Sequence, residues 1–266
     1  MTKTFQILTI LGSPHDRKSN TRALVDDFVA ELADAGLPLE HRVISLGRKK
    51  VDPCRGCWNC TKGRACPVSR RDDLDEIKAA MIDCDFLILA SPVYTNMVSA
   101  QTKALCDRLF TWCHIFPLLG KPALSATTTG NEGHDVTGAF LEKMLGTWGA
   151  HSFGTLSSIG GFNPGFFPTR EYARGQHRKL ARRVANKLRS GRPLGVTRWQ
   201  RRMFKVMRRK MSGAHTFNSL YHGMVEGQPR PNMLRVRIMR LLFGKFGITD
   251  DDRARLGTFM AFELGW

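Results

Sequence analysis

The chain has 266 residues, 42% of them hydrophobic, and it carries 41 Lys and Arg against 23 Asp and Glu. This length can bury a sizeable core, whereas no apolar run approaches the roughly 20 residues needed to span a bilayer. The first twenty residues also lack the pattern of a secretory signal, so we expect a cytoplasmic protein.

Short apolar runs alternate with segments of helical period along the first 190 residues. The predicted strands cover 4–11, 41–46, 85–90, 122–128 and 152–159, and the predicted helices cover 20–36, 72–82, 99–112, 136–148 and 170–189. Five strands that alternate with five helices indicate right-handed crossovers. We therefore predict an α/β fold with a parallel sheet that is covered on both faces.

Three predicted loops leave the carboxyl ends of strands, where ligands bind in such sheets. Loop 1 is 12–21, loop 2 is 91–97 and loop 3 is 127–133. Loop 1 opens a helix with Ser13, Ser19 and Thr21, whose hydroxyls and neighbouring backbone N–H groups suit a phosphate. The alternative is that these residues only cap the helix. Loops 2 and 3 offer an aromatic ring, amide groups and backbone donors, which suit a flat polar ring.

Four of the seven cysteines lie within the segment 53–67, which we call the cysteine loop. They are Cys54, Cys57, Cys60 and Cys66, in the pattern C-x2-C-x2-C-x5-C. In a reducing compartment, clustered cysteines are more often ligands or redox groups than disulfides. Consecutive CxxC steps favour iron and sulfur, while zinc and free thiols stay open as alternatives.

Several stretches of the chain resemble one known family in order and spacing. These are GSPHDRKSNT, PCRGCWNC with a fourth cysteine and the pair Asp72 and Asp73, and SPVYTNMVSAQTKALCDR. They resemble the NADPH-dependent FMN reductase and iron-sulfur flavoprotein family over residues 5 to 160. The resemblance implies a flavodoxin-like sheet of five strands in the order 2-1-3-4-5. Ser190-Gly191-Arg192-Pro193 indicates a helix stop, so we predict a flavodoxin-like domain at 1–190 and a basic, mostly helical extension at 191–266.

The resemblance also implies the cofactors and the residues that hold them. The FMN phosphate falls on Ser13, Ser19, Asn20 and Thr21, and the isoalloxazine is bordered by Pro92, Val93, Tyr94, Asn96, Thr128 and Gly130. The cysteine loop would hold a 4Fe-4S cluster. One departure is His15, where the family often has Arg, although Arg17 and Lys18 are nearby.

The chemistry is expected to run on the flavin. The sequence shows no Ser-His-Asp order, no HExxH motif and no convincing catalytic pair of carboxylates, so no catalytic side chain is predicted. Cys84, Cys106 and Cys113 are expected to be structural. His134, beside loop 3, is expected to be solvated or hydrogen-bonded, with ligand contact as the alternative.

The excess positive charge is confined to one region. Residues 1–169 carry 18 basic and 17 acidic side chains, whereas residues 170–245 carry 21 and 2. Two apolar stripes flanked by Arg and Lys, at 196–211 and 233–246, predict basic amphipathic helices. They can pack on the domain or a second subunit, lie on an anionic membrane surface, or dock an acidic partner, and nucleic acid is the least favoured partner because no binding motif is present.

Two functions of different classes follow from these features. The first is an FMN oxidoreductase, expected to be homo-oligomeric, that moves electrons between NAD(P)H or a reduced carrier and a quinone, a small oxidant or a protein. The second is a non-enzymatic electron carrier that docks a redox partner or a membrane through residues 170–245. A flavin-free binding module is a third reading, which a flavin absorption band would exclude.

Overall fold

A computed structural model describes residues 3–60, 65–159, 170–192 and 194–203. The strands are β1 Phe5–Leu11, β2 Leu39–Ser45, β3 Phe86–Tyr94, β4 Met97–Val98, β5 Pro122–Thr129 and β6 His151–Ile159. The helices are α1 Asn20–Asp34, α2 Leu74–Asp83, α3 Ala100–Arg108, α4 Trp112–Ile115, α5 His134–Thr147 and α6 Arg170–Ser190. Each predicted strand and helix of the first 190 residues is therefore present.

The five long strands form a parallel sheet in the order β2-β1-β3-β5-β6. Numbered among themselves, they follow the predicted order 2-1-3-4-5, so the α/β fold class is confirmed. The chain reverses beside β1, because β2 and β3 pair with opposite sides of it. This reversal creates a switch point at the carboxyl ends of β1 and β3, where loops 1 and 2 begin.

Both faces of the central strands are buried, which explains why they read as continuous apolar runs. On one face, Phe86 and Ile88 pack with Phe28 of α1 and Val184 of α6. On the other face, Leu87 and Leu89 of β3 are also fully buried. Loops 1 to 3 therefore leave from a sheet that is held rigid on both faces.

Two predicted boundaries were wrong. Residues 91–97 were expected to be a loop, but β3 continues to Tyr94 and pairs with the antiparallel β4 through Val93–Val98 and Tyr94–Met97. The helix predicted at 99–112 ends at Arg108, and Trp112 begins the separate α4. The predicted strand ended before Ser91-Pro92, because proline is rare inside strands.

The chain divides into two compact units, Met1–Gly56 with Val68–Gly195 and Cys57–Pro67 with Val196–Trp266. Of the second unit, residues 198–203 are helical, as predicted for the start of the first basic stripe. The rest of that stripe and the whole of the stripe at 233–246 lie outside the described residues. No helix in the described ranges is long and apolar enough to cross a membrane.

Candidate functional site

Loop 1 passes through a space too narrow for any side chain at its first residue. The Gly12 N–H donates to the Ala90 carbonyl at 2.7 Å. A Cβ on Gly12 would lie 1.8 Å from Thr102 Oγ1 and 3.1 Å from the Ala90 oxygen. Gly12 therefore allows the backbone of loop 1 to lie directly against β3 and the start of α3.

The hydroxyls of loop 1 are buried, and that of Ser19 already makes a hydrogen bond within the protein. Ser13, Ser19 and Thr21 are all nearly inaccessible. Ser19 is the N-cap of α1, since its Oγ accepts from the Arg22 N–H at 3.3 Å. Ser19 thus caps α1, which begins at the carboxyl edge of the sheet, and its assignment to a phosphate stays a prediction. His15 is exposed, as are the nearby cations of Arg17 and Lys18.

Loop 2 is the turn of a tight hairpin. Thr95 and Asn96 both have positive φ, 51° and 58°, as a two-residue type I′ turn requires. A β-branched residue such as Thr95 is strained in this conformation. The turn leaves Tyr94 43% exposed at the tip. Pro92 is buried beneath it, while Asn96 faces solvent.

Loop 3 contacts both of the other loops. Thr128 Oγ1 lies 2.6 Å from Thr21 Oγ1 in α1, in a buried pair. Gly133, with φ +81°, packs so closely on the hairpin that a Cβ there would lie 2.8 Å from the Asn96 Cα. Gly130 is exposed between these two contacts. The structure therefore brings Thr21, Thr128 and Asn96 to one edge of the sheet.

Sequence reasoning missed a buried hydroxyl network that joins loops 1 and 2. Ser99 Oγ donates to the Gly12 carbonyl at 2.6 Å, and the Ser99 N–H donates to Ser91 Oγ at 3.0 Å. Ser91 Oγ in turn donates to the Pro92 carbonyl at 2.9 Å. Ser99 also caps α3 by accepting from the Thr102 N–H. The cap could have been found from Ser99 and the helix that follows, but its bond to loop 1 could not.

Several buried polar atoms at the same edge of the sheet lack a hydrogen-bond partner among the described residues. They are the hydroxyls of Ser45, Thr127 and Ser158, near the ends of β2, β5 and β6, and Nδ1 of His134 at the start of α5. Buried polar groups normally have partners. A polar ligand beside loop 3 would supply partners for Thr127 and His134, and such a ligand fits the FMN that loops 1 to 3 predict. Of these four residues, sequence reasoning considered only His134, with ligand contact as its alternative.

The cysteine loop carries its thiols near the surface. Cys54 and Cys57 are exposed, and Cys60 and Cys66 are half-buried. Cys54 Sγ accepts from the Gly56 N–H at 3.4 Å, the type of bond that tunes sulfur ligands. The donor types fit a thiolate-bound cluster. Within the described ranges, however, no three His, Cys, Asp or Glu side chains are gathered around a metal position.

Cys84 and Cys106 differ from the loop cysteines in their chemistry. Burial raises the pKa of the Cys84 thiol to about 11 and that of the Cys106 thiol to about 12. Cys84 Sγ also donates to the Met81 carbonyl at 3.4 Å. These pKa values agree with the structural role expected of both residues, because the thiolate is the reactive form.

We expect iodoacetamide at pH 8 to separate the two groups in the folded, metal-free protein. The thiolate fractions of Cys84 and Cys106 are about a hundredfold and a thousandfold below that of a thiol with pKa 9.0. Mass spectrometry after timed exposure should therefore find Cys54 alkylated long before either. A Cys54→Ser variant should lose that early label only. Early labelling of Cys84 or Cys106 in the folded state would contradict this assignment.

The described part of the basic region is only partly available to a partner. On α6, Arg178 pairs with Glu31 at 3.2 Å, Arg183 donates to the Phe153 carbonyl, and Arg189 donates to the Ala35 carbonyl. These three cations attach α6 to α1 and β6. The side chains of Lys179 and Arg182 are exposed, and neither bonds to another side chain or forms an ion pair among the described residues. Docking through 170–245 stays a prediction.

Comparisons with curated proteins match the chain to iron-sulfur flavoproteins. It is 33% identical to one from Archaeoglobus fulgidus over 57% of this chain and 67% of that protein. It is 30% identical to one from Methanosarcina thermophila over 60% of this chain and 83% of that protein. A third, from Methanocaldococcus jannaschii, is 42% identical, but the match spans 39% of this chain and 51% of that protein.

Solved structures of low identity share the fold. An oxidoreductase from Corynebacterium diphtheriae is 19% identical, with a TM-score of 0.51 over 71% of this chain and 100% of that one. RosB, with a bound 8-demethyl-8-formylriboflavin-5'-phosphate intermediate, is 15% identical, with a TM-score of 0.52 over 86% and 91%. Residues 5–163, more than half of the chain, match the family model of NADPH-dependent FMN reductases, so this protein belongs to that family of flavin-dependent oxidoreductases.

Proposed function

We propose that this protein is an FMN oxidoreductase that takes electrons from NADPH and passes them to a quinone, another small oxidant or a protein acceptor. The observation that carries the proposal is the joining of loops 1, 2 and 3 at the carboxyl edge of the sheet through buried hydroxyls. Family membership supports FMN as the cofactor. When bound, a flavin accepts a hydride and releases electrons one at a time.

In this proposal the three loops divide the binding of FMN. The start of α1, with Ser13, Ser19, Asn20 and Thr21, holds the phosphate. Loops 2 and 3 border the ring through Pro92, Val93, Tyr94, Asn96, Thr128 and Gly130. The Thr21–Thr128 pair supports this division, because it fixes the spacing between the phosphate end and loop 3. The exposed Tyr94 lies where an incoming donor or acceptor could stack on it.

We also propose that Cys54, Cys57, Cys60 and Cys66 ligate a 4Fe-4S cluster. Their spacing supports this assignment. The names of the curated relatives, which are iron-sulfur flavoproteins, support it as well. A cluster at these thiols would carry electrons singly between the flavin and an acceptor.

Anaerobic analysis of the purified protein tests both parts. We expect a flavin absorption band with FMN released on denaturation, and about four irons and four sulfides per chain without zinc. NADPH should be oxidised in turnover with a quinone. A Cys57→Ser/Cys60→Ser variant should lose iron and retain FMN.

The outcomes separate the alternatives. Flavin without iron in the wild-type protein would remove the cluster and leave the flavoenzyme. A flavin-containing protein that never turns over NADPH with any acceptor would favour the electron carrier. A colourless protein that does not bind added FMN would overturn the proposal.

A further inference from the structure

The two ends of the cysteine loop are held side by side. The Asp73 N–H donates to the Lys50 carbonyl at 2.8 Å, and the Lys50 N–H donates to Asp73 Oδ2 at 2.8 Å. One residue pair closer to the loop, the Asp52 N–H donates to Asp72 Oδ2 at 3.1 Å. The chain therefore leaves for the cysteines and returns from them at a closed base.

A buried ion pair lies at the centre of this base. The side chains of Arg108 and Asp72 are 1% and 0% exposed and form a hydrogen bond between Nη1 and Oδ2. Arg108 Nη1 also donates to the Asp52 carbonyl at 2.8 Å, and Asp72 Oδ1 accepts from the Leu74 N–H at 3.3 Å. Arg108 thus binds the entry side of the loop and the exit side together.

Stability alone is a weak explanation for such a pair. Taking two charges out of water costs about as much as their attraction returns, and apolar side chains often fill such a place equally well. What apolar side chains could not supply is the set of directed bonds from Arg108 and Asp72 to the backbone of Asp52 and Leu74. The pair therefore specifies geometry at the base of the loop.

Arg108 also connects this base to the proposed FMN site. It is the last residue of α3, a helix whose N-cap Ser99 donates to the carbonyl of Gly12 in loop 1. Thr102, in the first turn, is the side chain that a Cβ on Gly12 would meet. From Thr102 to Arg108 the helix rises about 9 Å. One rigid element thus contacts loop 1 near its start and the base of the cysteine loop at its end.

We propose that the Asp72–Arg108 pair is a positioning device for the cysteine loop, fixing its two ends relative to loop 1 through α3. Neither residue touches a cofactor in this assignment. An effect of this pair on iron content rests on the proposed cluster, whereas its closure of the loop base does not. The two parts can therefore be tested separately.

Limited trypsin digestion of the full-length protein with its cofactors tests the closure. Arg55 lies three residues after Asp52, so trypsin must engage backbone next to the closed base, and faster cleavage after Arg55 reports opening of that base. We expect Asp72→Asn to speed the appearance of the peptide ending at Arg55 at least about tenfold. Arg108→Lys keeps the charge but replaces the forked donor by a single ammonium, so cleavage should rise even where the fold is retained.

Leu145→Ala, in the buried core of α5, is the matched control for general destabilisation. At equal loss of unfolding free energy, it should leave cleavage after Arg55 within about twofold of the wild-type rate. The proposal is overturned if trypsin cleaves Asp72→Asn and Arg108→Lys after Arg55 no faster than it cleaves this control.

Cofactor content provides a second readout. In Asp72→Asn and Arg108→Lys, iron and sulfide per chain should fall by more than half while FMN per chain is retained. Iron at the wild-type level in both variants would overturn the positioning role. A wild-type protein without iron would instead refute the proposed cluster, and the cleavage rates would still decide whether the pair closes the loop.

Discussion

Arg108→Met is expected to lower the free energy of unfolding by about 3–5 kcal/mol, the cost of leaving one buried partner of an ion pair uncompensated. The Asp72 carboxylate is fully buried, and its strongest partner is the guanidinium that this change removes. The Asp52 carbonyl would also lose the donor that lies 2.8 Å away. Urea denaturation at pH 7, followed by circular dichroism, measures the loss.

The double variant Asp72→Leu/Arg108→Met is the control for this expectation. It removes both charges, so it should be more stable than Arg108→Met alone, although the Asp52 and Leu74 N–H groups lose their acceptor. A loss below about 1 kcal/mol for Arg108→Met would show that water or another group compensates Asp72. A double variant less stable than the single variant would contradict the same account.

Gly12→Ala is expected to affect the proposed FMN site most strongly. The added methyl group would overlap Thr102 Oγ1, which lies 3.0 Å from Ser99 Oγ. Overpacking of this kind costs about 1–3 kcal/mol and should push loop 1 away from β3. In our proposal loop 1 holds the phosphate, so FMN binding must return the displaced loop to its original position. Each 1.4 kcal/mol that this return costs should raise the FMN dissociation constant about tenfold. Flavin fluorescence titration measures it.

Two variants identify the cause of that effect. Gly146→Ala adds the same methyl group in α5, where nothing lies within 4 Å, so it should leave FMN binding unchanged. Thr102→Ala in the Gly12→Ala background removes the overlapping oxygen and should restore part of the lost affinity. Unchanged FMN affinity in Gly12→Ala would show that loop 1 does not hold the cofactor.

Most of the fold could be predicted from local pattern, because β1 and β3 read as short apolar runs and the helices carry clear helical periods. The hairpin was missed for two local reasons. Ser91-Pro92 reads as the end of a strand, and Thr95-Asn96 is not the Asn-Gly pair that usually indicates a type I′ turn. The strained turn is supported instead by tertiary contacts, among them the packing of Gly133 against Asn96.

The candidate site could be proposed from the sequence, whereas the contacts within it could not. Parallel strands bring their carboxyl ends to one edge, so the order of strands and loops in the sequence is enough to predict that loops 1 to 3 lie together. Contacts between residues far apart in the chain, such as Ser99 with Gly12, have no local signal. Arg108 is the clearest case. An arginine at the end of an amphipathic helix is expected to be solvated, and nothing in the local sequence indicates that Asp72 lies beside it.

The edges of the sheet constrain how two copies of this protein could associate. At one edge, β2 presents the exposed side chains of Glu40 and Arg42, charges that discourage pairing with another strand. At the other edge, β6 has an irregular register opposite Ala123 and Ser125, Gly154 has φ +115°, and the Phe153 carbonyl is already bonded to Arg183. The charges on β2 and the irregular backbone of β6 each disfavour pairing with a strand of another copy. The predicted homo-oligomer would therefore bury helical faces or loops, and a continuous sheet across two subunits is disfavoured.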